Sequence, residues 1–179
     1  MAGAAGRMGK ALIQALSVAD DLSLGAAFEH DQNSLLGQDA GEIAGVGKGG
    51  VTVESYAADT IFDFDVVIDF SVPEATLRLA KACQTHSKAM VIGTTGFDSS
   101  QLARLKEISR DIPIFLSPNM SLGVNLVFKL IEVAANALGN EVDYEIQEAH
   151  HSQKIDSPSG TAVKLGEILA RTLSRDLEE

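Results

Sequence analysis

The sequence has no tryptophan, one cysteine and four prolines in 179 residues, and its 14 basic residues are outnumbered by 25 acidic ones. A single cysteine cannot build a disulfide framework, which is typical of a reducing compartment, and we expect the cytoplasm. A net charge of −11 argues against binding to nucleic acid or to an anionic membrane, because both need a basic surface. The longest apolar run, 122–138, contains Asn125, Lys129 and Glu132, which favours a core helix over a membrane span.

Glycine is abundant instead, and it opens the chain as Gly3-Ala-Ala-Gly6-Arg-Met-Gly9 before an amphipathic helical pattern. Glycines at a helix entrance let a phosphate approach the backbone, and the N–H groups of the first turn bind it, so the pattern favours a dinucleotide pyrophosphate site. The spacing differs from G-x-G-x-x-G, and a Gly-rich turn without a ligand is the alternative. Such a loop needs a strand before it, so we expect the chain to be truncated at its N-terminus, with Met1 in or just after that strand.

An acidic residue follows the next predicted strand, 22–28. Glu29 comes about 20 residues after Gly9, where a dinucleotide-binding fold places the carboxylate that holds a ribose. His30 follows it and is only partly charged near neutral pH, so it is a weaker partner for a 2′-phosphate than arginine. The alternative interpretation of this acidic segment is a solvated turn.

Strand and helix patterns alternate through the rest of residues 1–121. The predicted strands are 51–53, 65–70, 89–92 and 114–116, the helices are 73–85, 98–110 and one from 122, and a Gly-rich loop covers 34–50. Polar turns follow the strands: Ser71 is a candidate helix cap, and Gly93-Thr-Thr-Gly96 would line a nicotinamide or form a plain tight turn. The alternation predicts an α/β fold with a Rossmann-type, doubly wound parallel sheet that lacks its first strand.

Residues 122–179 are predicted to begin a second, α+β unit, with a strand at 142–150 and a helix at 160–177. One strand and one helix cannot form a domain, because a sheet needs further strands. We therefore expect the chain to be cut inside a longer protein at this end as well.

A polar cluster separates that strand from that helix. His150 and His151 point to opposite faces of an extended strand and cannot share a metal ion, so we expect no metal site. One of these histidines can act as an acid or base near neutral pH, and Lys154 adds a cationic donor. The helix start offers free N–H groups and the Ser159 and Thr161 hydroxyls as a cradle for a carboxylate, and Gly160 removes side-chain bulk there. Plain N-capping is the alternative role for Asp156, Ser157 or Ser159.

Five motifs, taken in order, resemble those of the bacterial 4-hydroxy-tetrahydrodipicolinate reductase (dihydrodipicolinate reductase) family. They are Gly-x-x-Gly-Arg-Met-Gly at 3–9, Asp-Phe-Ser-x-Pro-Glu at 69–74, Gly-Thr-Thr-Gly-Phe at 93–97, Asn-x-Ser-x-Gly-Val-Asn at 119–125 and Glu-Ala-His-His-x-x-Lys-x-Asp-x-Pro-Ser-Gly-Thr-Ala at 148–162. The resemblance implies reduction of 4-hydroxy-tetrahydrodipicolinate to tetrahydrodipicolinate with loss of water, in lysine and diaminopimelate biosynthesis. It also implies NADH or NADPH as cofactor, a small dicarboxylate substrate and a homotetramer.

The resemblance assigns roles residue by residue. Those implied for the cofactor are Gly3, Ala4, Ala5, Gly6, Arg7 and Met8 at the pyrophosphate, Glu29 at the adenine-side ribose, and His30 beside a 2′-phosphate. Gly93, Thr94, Thr95, Ser117, Pro118, Asn119 and Met120 are implied near the nicotinamide, and Phe70 is also implied to bind the cofactor. Those implied for chemistry are His150 as acid or base and Lys154 as a second proton donor, with His151, Gly160 and Thr161 binding the substrate carboxylates.

Two other hypotheses stay open beside the reductase. One is a non-catalytic nucleotide-sensing module of the same fold, in which the histidine and lysine cluster is structural. The other is a different small-molecule dehydrogenase, although Cys83 lies in a predicted helix and not in a turn after a strand, where a semialdehyde dehydrogenase needs it. We expect residues 1–179 alone to lack full activity.

Overall fold

A computed structural model describes residues 1–56, 63–150 and 157–176. The chain divides into two compact units, Met1–Ser117 and Pro118–Glu179. Compactness alone does not define a domain, so the assignment of domains to 1–121 and 122–179 stays a prediction.

The first unit alternates strands and helices. Its elements are α1 (Arg7–Leu16), β1 (Ala27–Glu29), α2 (Ala40–Ala44), β2 (Val53–Ser55), β3 (Val66–Asp69), α3 (Pro73–Thr85), β4 (Ala89–Ile92), α4 (Ser99–Ile108) and β5 (Ile114–Leu116). All strand pairs are parallel: β1 with β2, β3 with β4, and β4 with β5. The predicted Rossmann-type fold class is thereby confirmed.

Extended backbone at Met1 and Ala2 joins the two groups of strands. Ala2 forms parallel bridges to Phe28 on one side and to Asp69 on the other, which gives the order β2, β1, Met1–Ala2, β3, β4, β5. Met1 and Ala2 thus lie between β1 and β3 in this order. The strand predicted at 22–28 begins only at Ala27, where the pairing with Val53 of β2 begins.

Helices cover both faces of the sheet. Val67 belongs to a buried cluster with residues of α3 and α4, whereas Ile68 packs against a cluster that contains residues of α1 and α2. Successive residues of a strand point to opposite faces, so the two clusters are the two sides of one sheet. The helices therefore cover the faces of the sheet, and the turns that follow the strands form its carboxyl edge.

The predicted Gly-rich loop at 34–50 contains a short helix that one carboxylate organises. Asp39 caps α2: its Oδ1 accepts hydrogen bonds from the N–H groups of Gly41, Glu42 and Gly49, and its Oδ2 accepts one from Gly50. These bonds, the one from Gly49 above all, hold the pKa of Asp39 below its usual range. The sequence prediction missed α2 because Asp39 joins groups that are far apart in the chain.

The second unit contains α5 (Leu122–Leu138) and α6 (Gly160–Leu173), which pack against each other. The strand predicted at 142–150 is wrong, since these residues form neither helix nor strand. Extended backbone becomes a strand only where a neighbour pairs with it, and the described part of this unit contains no other strand. α6 ends at Leu173, short of the predicted 177, because Ser174 takes a left-handed conformation with φ 55°. Within the described ranges, no helix has both the length and the apolarity to cross a bilayer.

The four hydrogen bonds that the Asp39 carboxylate accepts predict that its contribution to the free energy of unfolding depends on pH. The folded-state pKa is lowered, so the contribution is present above the unfolded pKa of about 3.9 and is lost as the pH falls through the folded value. Asp39→Asn should therefore lower the free energy of unfolding at pH 7, and the difference from wild type should shrink below about pH 4. Urea unfolding across this range measures it. The exposed Asp20 provides a control, Asp20→Asn, and an Asp39→Asn difference that stays constant with pH would contradict the prediction.

Candidate functional site

Three turns meet at the carboxyl edge of the sheet in the first unit. They follow Ala2, β3 and β4, and the side chain of Glu29 at the end of β1 lies beside them. In an open parallel sheet, ligands bind at this edge where the strand order reverses, and here the reversal occurs at the central Met1–Ala2 strand.

The first turn has the close backbone packing that a pyrophosphate site requires. A Cβ atom at Gly9 would lie 2.1 Å from the Gly3 carbonyl oxygen, and one at Gly3, where φ is 72°, would lie 2.5 Å from the Phe70 carbonyl oxygen. Gly6 is the N-cap of α1 and gives it no side-chain hydrogen bond, while Arg7 and Met8 are exposed. The first-turn N–H groups of α1 are therefore left for an anionic ligand, so this turn fits a dinucleotide.

Glu29 is tied to the same turn. Its Oε1 accepts a hydrogen bond from the Ala5 N–H at 2.9 Å, and its Oε2 accepts one from the His30 N–H at 3.1 Å. The side chain is buried, whereas His30 is exposed, with its Nδ1 accepting a hydrogen bond from the Gln32 N–H at 3.2 Å. The carboxylate is thus held next to the Gly-rich turn, and the imidazole faces solvent beside it.

The turns after β3 and β4 contact each other closely. The Phe70 ring lies on Gly93, where a Cβ atom would be 2.1 Å from Phe70 Cε1. Ser71 is not the predicted helix cap: the N-cap of α3 is Val72, which makes no side-chain bond, and the Ser71 hydroxyl donates to Asp69 Oδ1 instead. Thr94 is buried, while Thr95 is exposed.

In the second unit, residues implied for the cofactor and for the substrate come together at the start of α6. Asn119 Nδ2 donates to the Thr161 hydroxyl at 3.4 Å, and the Asn119 backbone carbonyl accepts from Asn125 Nδ2 at 3.0 Å. Pro118 and Met120 on either side of Asn119 are exposed, whereas Ser117, at the end of the first unit, bonds the Ile92 carbonyl through its N–H. Gly160 has open space around it, with no atom within 4 Å of an added Cβ.

His150 is exposed and lies beside a carboxylate. Its Nδ1 is 3.4 Å from Glu148 Oε2, and Glu148 Oε1 accepts the Ser159 N–H at 2.8 Å. Ser159 caps α6 by accepting the Ala162 N–H at 3.1 Å, which decides between the capping candidates. His151 and Lys154 lie outside the described residues. Within the described ranges, no group of three potential metal ligands is close enough to hold an ion.

The sequence prediction missed two carboxylates, one at the carboxyl edge of the sheet and one beside the start of α6. Asp69 ends a buried strand, and Glu148 precedes the histidines by two residues. The available signal for Asp69 was a charged residue in an otherwise apolar run, which requires a bonding partner to justify its burial.

The packing of Phe70 on Gly93 gives a test of the nicotinamide side. Gly93→Ala should displace the Phe70 ring and weaken NADH binding, because the added methyl group overlaps the ring. The NADH dissociation constants of Phe70→Ala, Gly93→Ala and the double variant are measured by fluorescence titration. The loss of binding free energy in the double variant should differ strongly from the sum of the losses in the two single variants. Additive losses would show that the overlap is not the cause.

Comparison with known proteins shows the family to which this chain is similar. Residues 1–120 match the family described as dihydrodipicolinate reductase, N-terminus, and residues 123–179 match dihydrodipicolinate reductase, C-terminus. The 4-hydroxy-tetrahydrodipicolinate reductase of Saccharophagus degradans is 50% identical over 177 residues, which cover 99% of this chain and 66% of that protein.

A solved structure is also similar. The dipicolinate-bound dihydrodipicolinate reductase from Paenisporosarcina sp. TG-14 superposes with a TM-score of 0.70 at 25% identity, covering 96% of this chain and 64% of the other. The chain thus spans slightly less than two thirds of the length of these relatives. Because family profiles cover nearly all of its residues, the chain belongs to the dihydrodipicolinate reductase family.

Proposed function

We propose that this chain takes part in the NAD(P)H-dependent reduction of 4-hydroxy-tetrahydrodipicolinate to tetrahydrodipicolinate, with loss of water, in lysine and diaminopimelate biosynthesis. Family membership supports the reaction, and the relative that is 50% identical carries the corresponding name. The dipicolinate-bound neighbour supports a cyclic dicarboxylate as the kind of substrate. The nucleotide-sensing module and the other dehydrogenases are less favoured, because neither accounts for the match of the second unit.

The observation that carries the cofactor assignment is the crowding around Gly9. Only glycine fits at position 9, because a Cβ atom there would lie 2.1 Å from the Gly3 carbonyl oxygen. This close packing leads the chain into α1, whose first N–H groups have no side-chain cap. Negative phosphates are stabilised there by hydrogen bonds and by the helix dipole. Glu29, whose carboxylate accepts the Ala5 N–H of the same turn, is proposed to accept hydrogen bonds from a ribose. Either NADH or NADPH is proposed, since the exposed His30 would be a weaker partner for a 2′-phosphate than an arginine.

The start of α6 is proposed to bind a substrate carboxylate. Thr161 brings a hydroxyl, Gly160 leaves the approach open, and the first N–H groups of the helix point outward. Asn119 fixes the Thr161 hydroxyl through its amide and so sets the direction in which that hydroxyl can donate. His151 is proposed from the sequence to contribute to the second carboxylate.

His150 is proposed to handle the proton, and Lys154 to be a second donor. Glu148 lies on the Nδ1 side of His150, which leaves Nε2 as the nitrogen that exchanges a proton with a ligand. A bound nicotinamide would supply the hydride. The residues of this chain would hold the dicarboxylate in line with the incoming hydride and deliver the compensating proton, and this is mainly a positioning effect.

Location and assembly are part of the same proposal. A biosynthetic reductase with a single, buried cysteine fits the cytoplasm, and the family resemblance implies a homotetramer.

Replacing His150 tests catalysis against nucleotide sensing. In the full-length protein, His150→Gln should lower kcat by about a hundredfold or more, as expected for loss of a general acid. NADH affinity and thermal stability should stay close to wild type, because the side chain is exposed. Lys154→Ala should act similarly, and Lys164→Ala, an exposed pair with Glu167, is the control. An unchanged kcat in His150→Gln would favour the sensing module.

Gly160→Ala separates ligand binding from stability. The added methyl group meets no protein atom within 4 Å and favours the helix, so the free energy of unfolding should rise by a few tenths to about 1 kcal/mol. Dipicolinate should nevertheless bind more weakly, because the methyl group occupies the approach to the helix N-terminus. Thr172→Ala, at the other end of α6, should stabilise without changing dipicolinate affinity in calorimetric titration. Unchanged dipicolinate affinity in Gly160→Ala would remove Gly160 from the site.

A further inference from the structure

Asp69 is a carboxyl group in an unfavourable place. It ends β3, none of its surface is exposed, and its Oδ2 atom is buried without a hydrogen-bond partner among the described residues. Burial raises the pKa of the Asp69 carboxyl above its usual range. A well-packed apolar residue would be less costly at such a position.

Asp69 holds Ser71, and Ser71 in turn holds Thr94. The Ser71 hydroxyl donates to Asp69 Oδ1 at 2.6 Å, and the Ser71 N–H donates to the Thr94 hydroxyl at 2.9 Å. The Asp69 backbone carbonyl also accepts the Gly93 N–H at 2.8 Å. One residue thus links the turn after β3 to the turn after β4.

These linked turns lie opposite Glu29 across the central strand. Ala2 bridges Phe28, the neighbour of Glu29, on one side and Asp69 on the other. A dinucleotide spans the switch point with its adenosine ribose at the acidic residue, so its other end falls over the β3 and β4 turns. Asp69 therefore supports the part of the edge that faces the nicotinamide, and Glu29 supports the adenosine part.

We propose that Asp69 is a positioning residue for the nicotinamide half of the dinucleotide, acting through Ser71 and Thr94. It does not touch the cofactor itself. Its carboxyl fixes the Ser71 turn, and this turn fixes the loop that presents Gly93 and Thr95. The inference rests on the proposed dinucleotide-binding function and assigns a separate task to one residue within it.

Two probes distinguish this role from simple structural support. NADH carries the nicotinamide, whereas ADP-ribose has the same adenosine and pyrophosphate without the ring. Asp69→Leu should weaken NADH about tenfold, the size expected from losing one hydrogen bond to a charged group, and leave ADP-ribose within about twofold. Asp69 also interacts with the buried Met1 ammonium, so the midpoint of thermal unfolding of Asp69→Leu is measured alongside to separate a loss of stability from a loss of positioning.

Matched variants complete the test. Asp69→Asn keeps an acceptor for the Ser71 hydroxyl and should restore NADH affinity to within about threefold of wild type. Asp65→Asn, an exposed aspartate just before β3, should change neither affinity. Ser71→Ala removes the other partner and should reproduce the split between NADH and ADP-ribose, which keeps the test decisive even where Asp69→Leu does not fold.

The outcomes are separable. Equal loss of NADH and ADP-ribose in Asp69→Leu and Ser71→Ala, or wild-type NADH affinity in both, overturns the positioning role and leaves the proposed function standing. A wild-type chain that binds neither probe overturns the dinucleotide assignment and the positioning role together.

Discussion

The backbone hydrogen bonds of Met1 and Ala2 hold the two halves of the sheet together, and the arrangement of its carboxyl edge depends on them. The Phe28 N–H donates to the Met1 carbonyl at 2.8 Å, and the Ala2 N–H donates to the Ile68 carbonyl at 2.9 Å. Without this short central strand, β1–β2 and β3–β4–β5 are separate groups of strands. Because buried backbone groups must be paired, these bonds fix the register of both groups and place the Gly-rich turn between them.

A carboxylate lies on each side of this central strand, and both are buried. Glu29 accepts the Ala5 N–H of the Gly-rich turn, and Asp69 accepts the Ser71 hydroxyl of the turn after β3. Neither placement is favoured by burial itself, since removing a carboxyl group from water is costly. Their common feature is that each holds a polar turn in a fixed position. The second unit shows a related arrangement, in which Glu148 joins the α6 cap to the neighbourhood of His150.

Local patterns predicted some elements well and failed for others. The strands 89–92 and 114–116 and the helix 73–85 match the structure, because apolar runs and a helix-starting proline are visible within a few residues. The strand at 142–150 was wrong, since its alternating pattern has no described neighbour to pair with. The helix at Ala40–Ala44 was missed because Asp39 organises it through Gly49 and Gly50, ten or more residues away.

The sequence by itself determined the α/β class, the Gly-rich turn before α1, Glu29 at the end of a strand and the start of α6 at Gly160, since each depends on residue type and short-range spacing. The tertiary structure alone decided that Phe70 covers Gly93, that Thr94 is buried while Thr95 is exposed, and that Ser71 bonds Asp69 rather than capping a helix. The physical reason is the parallel sheet: its register brings turns from distant parts of the chain to one edge, and no local pattern encodes which of their polar groups will meet.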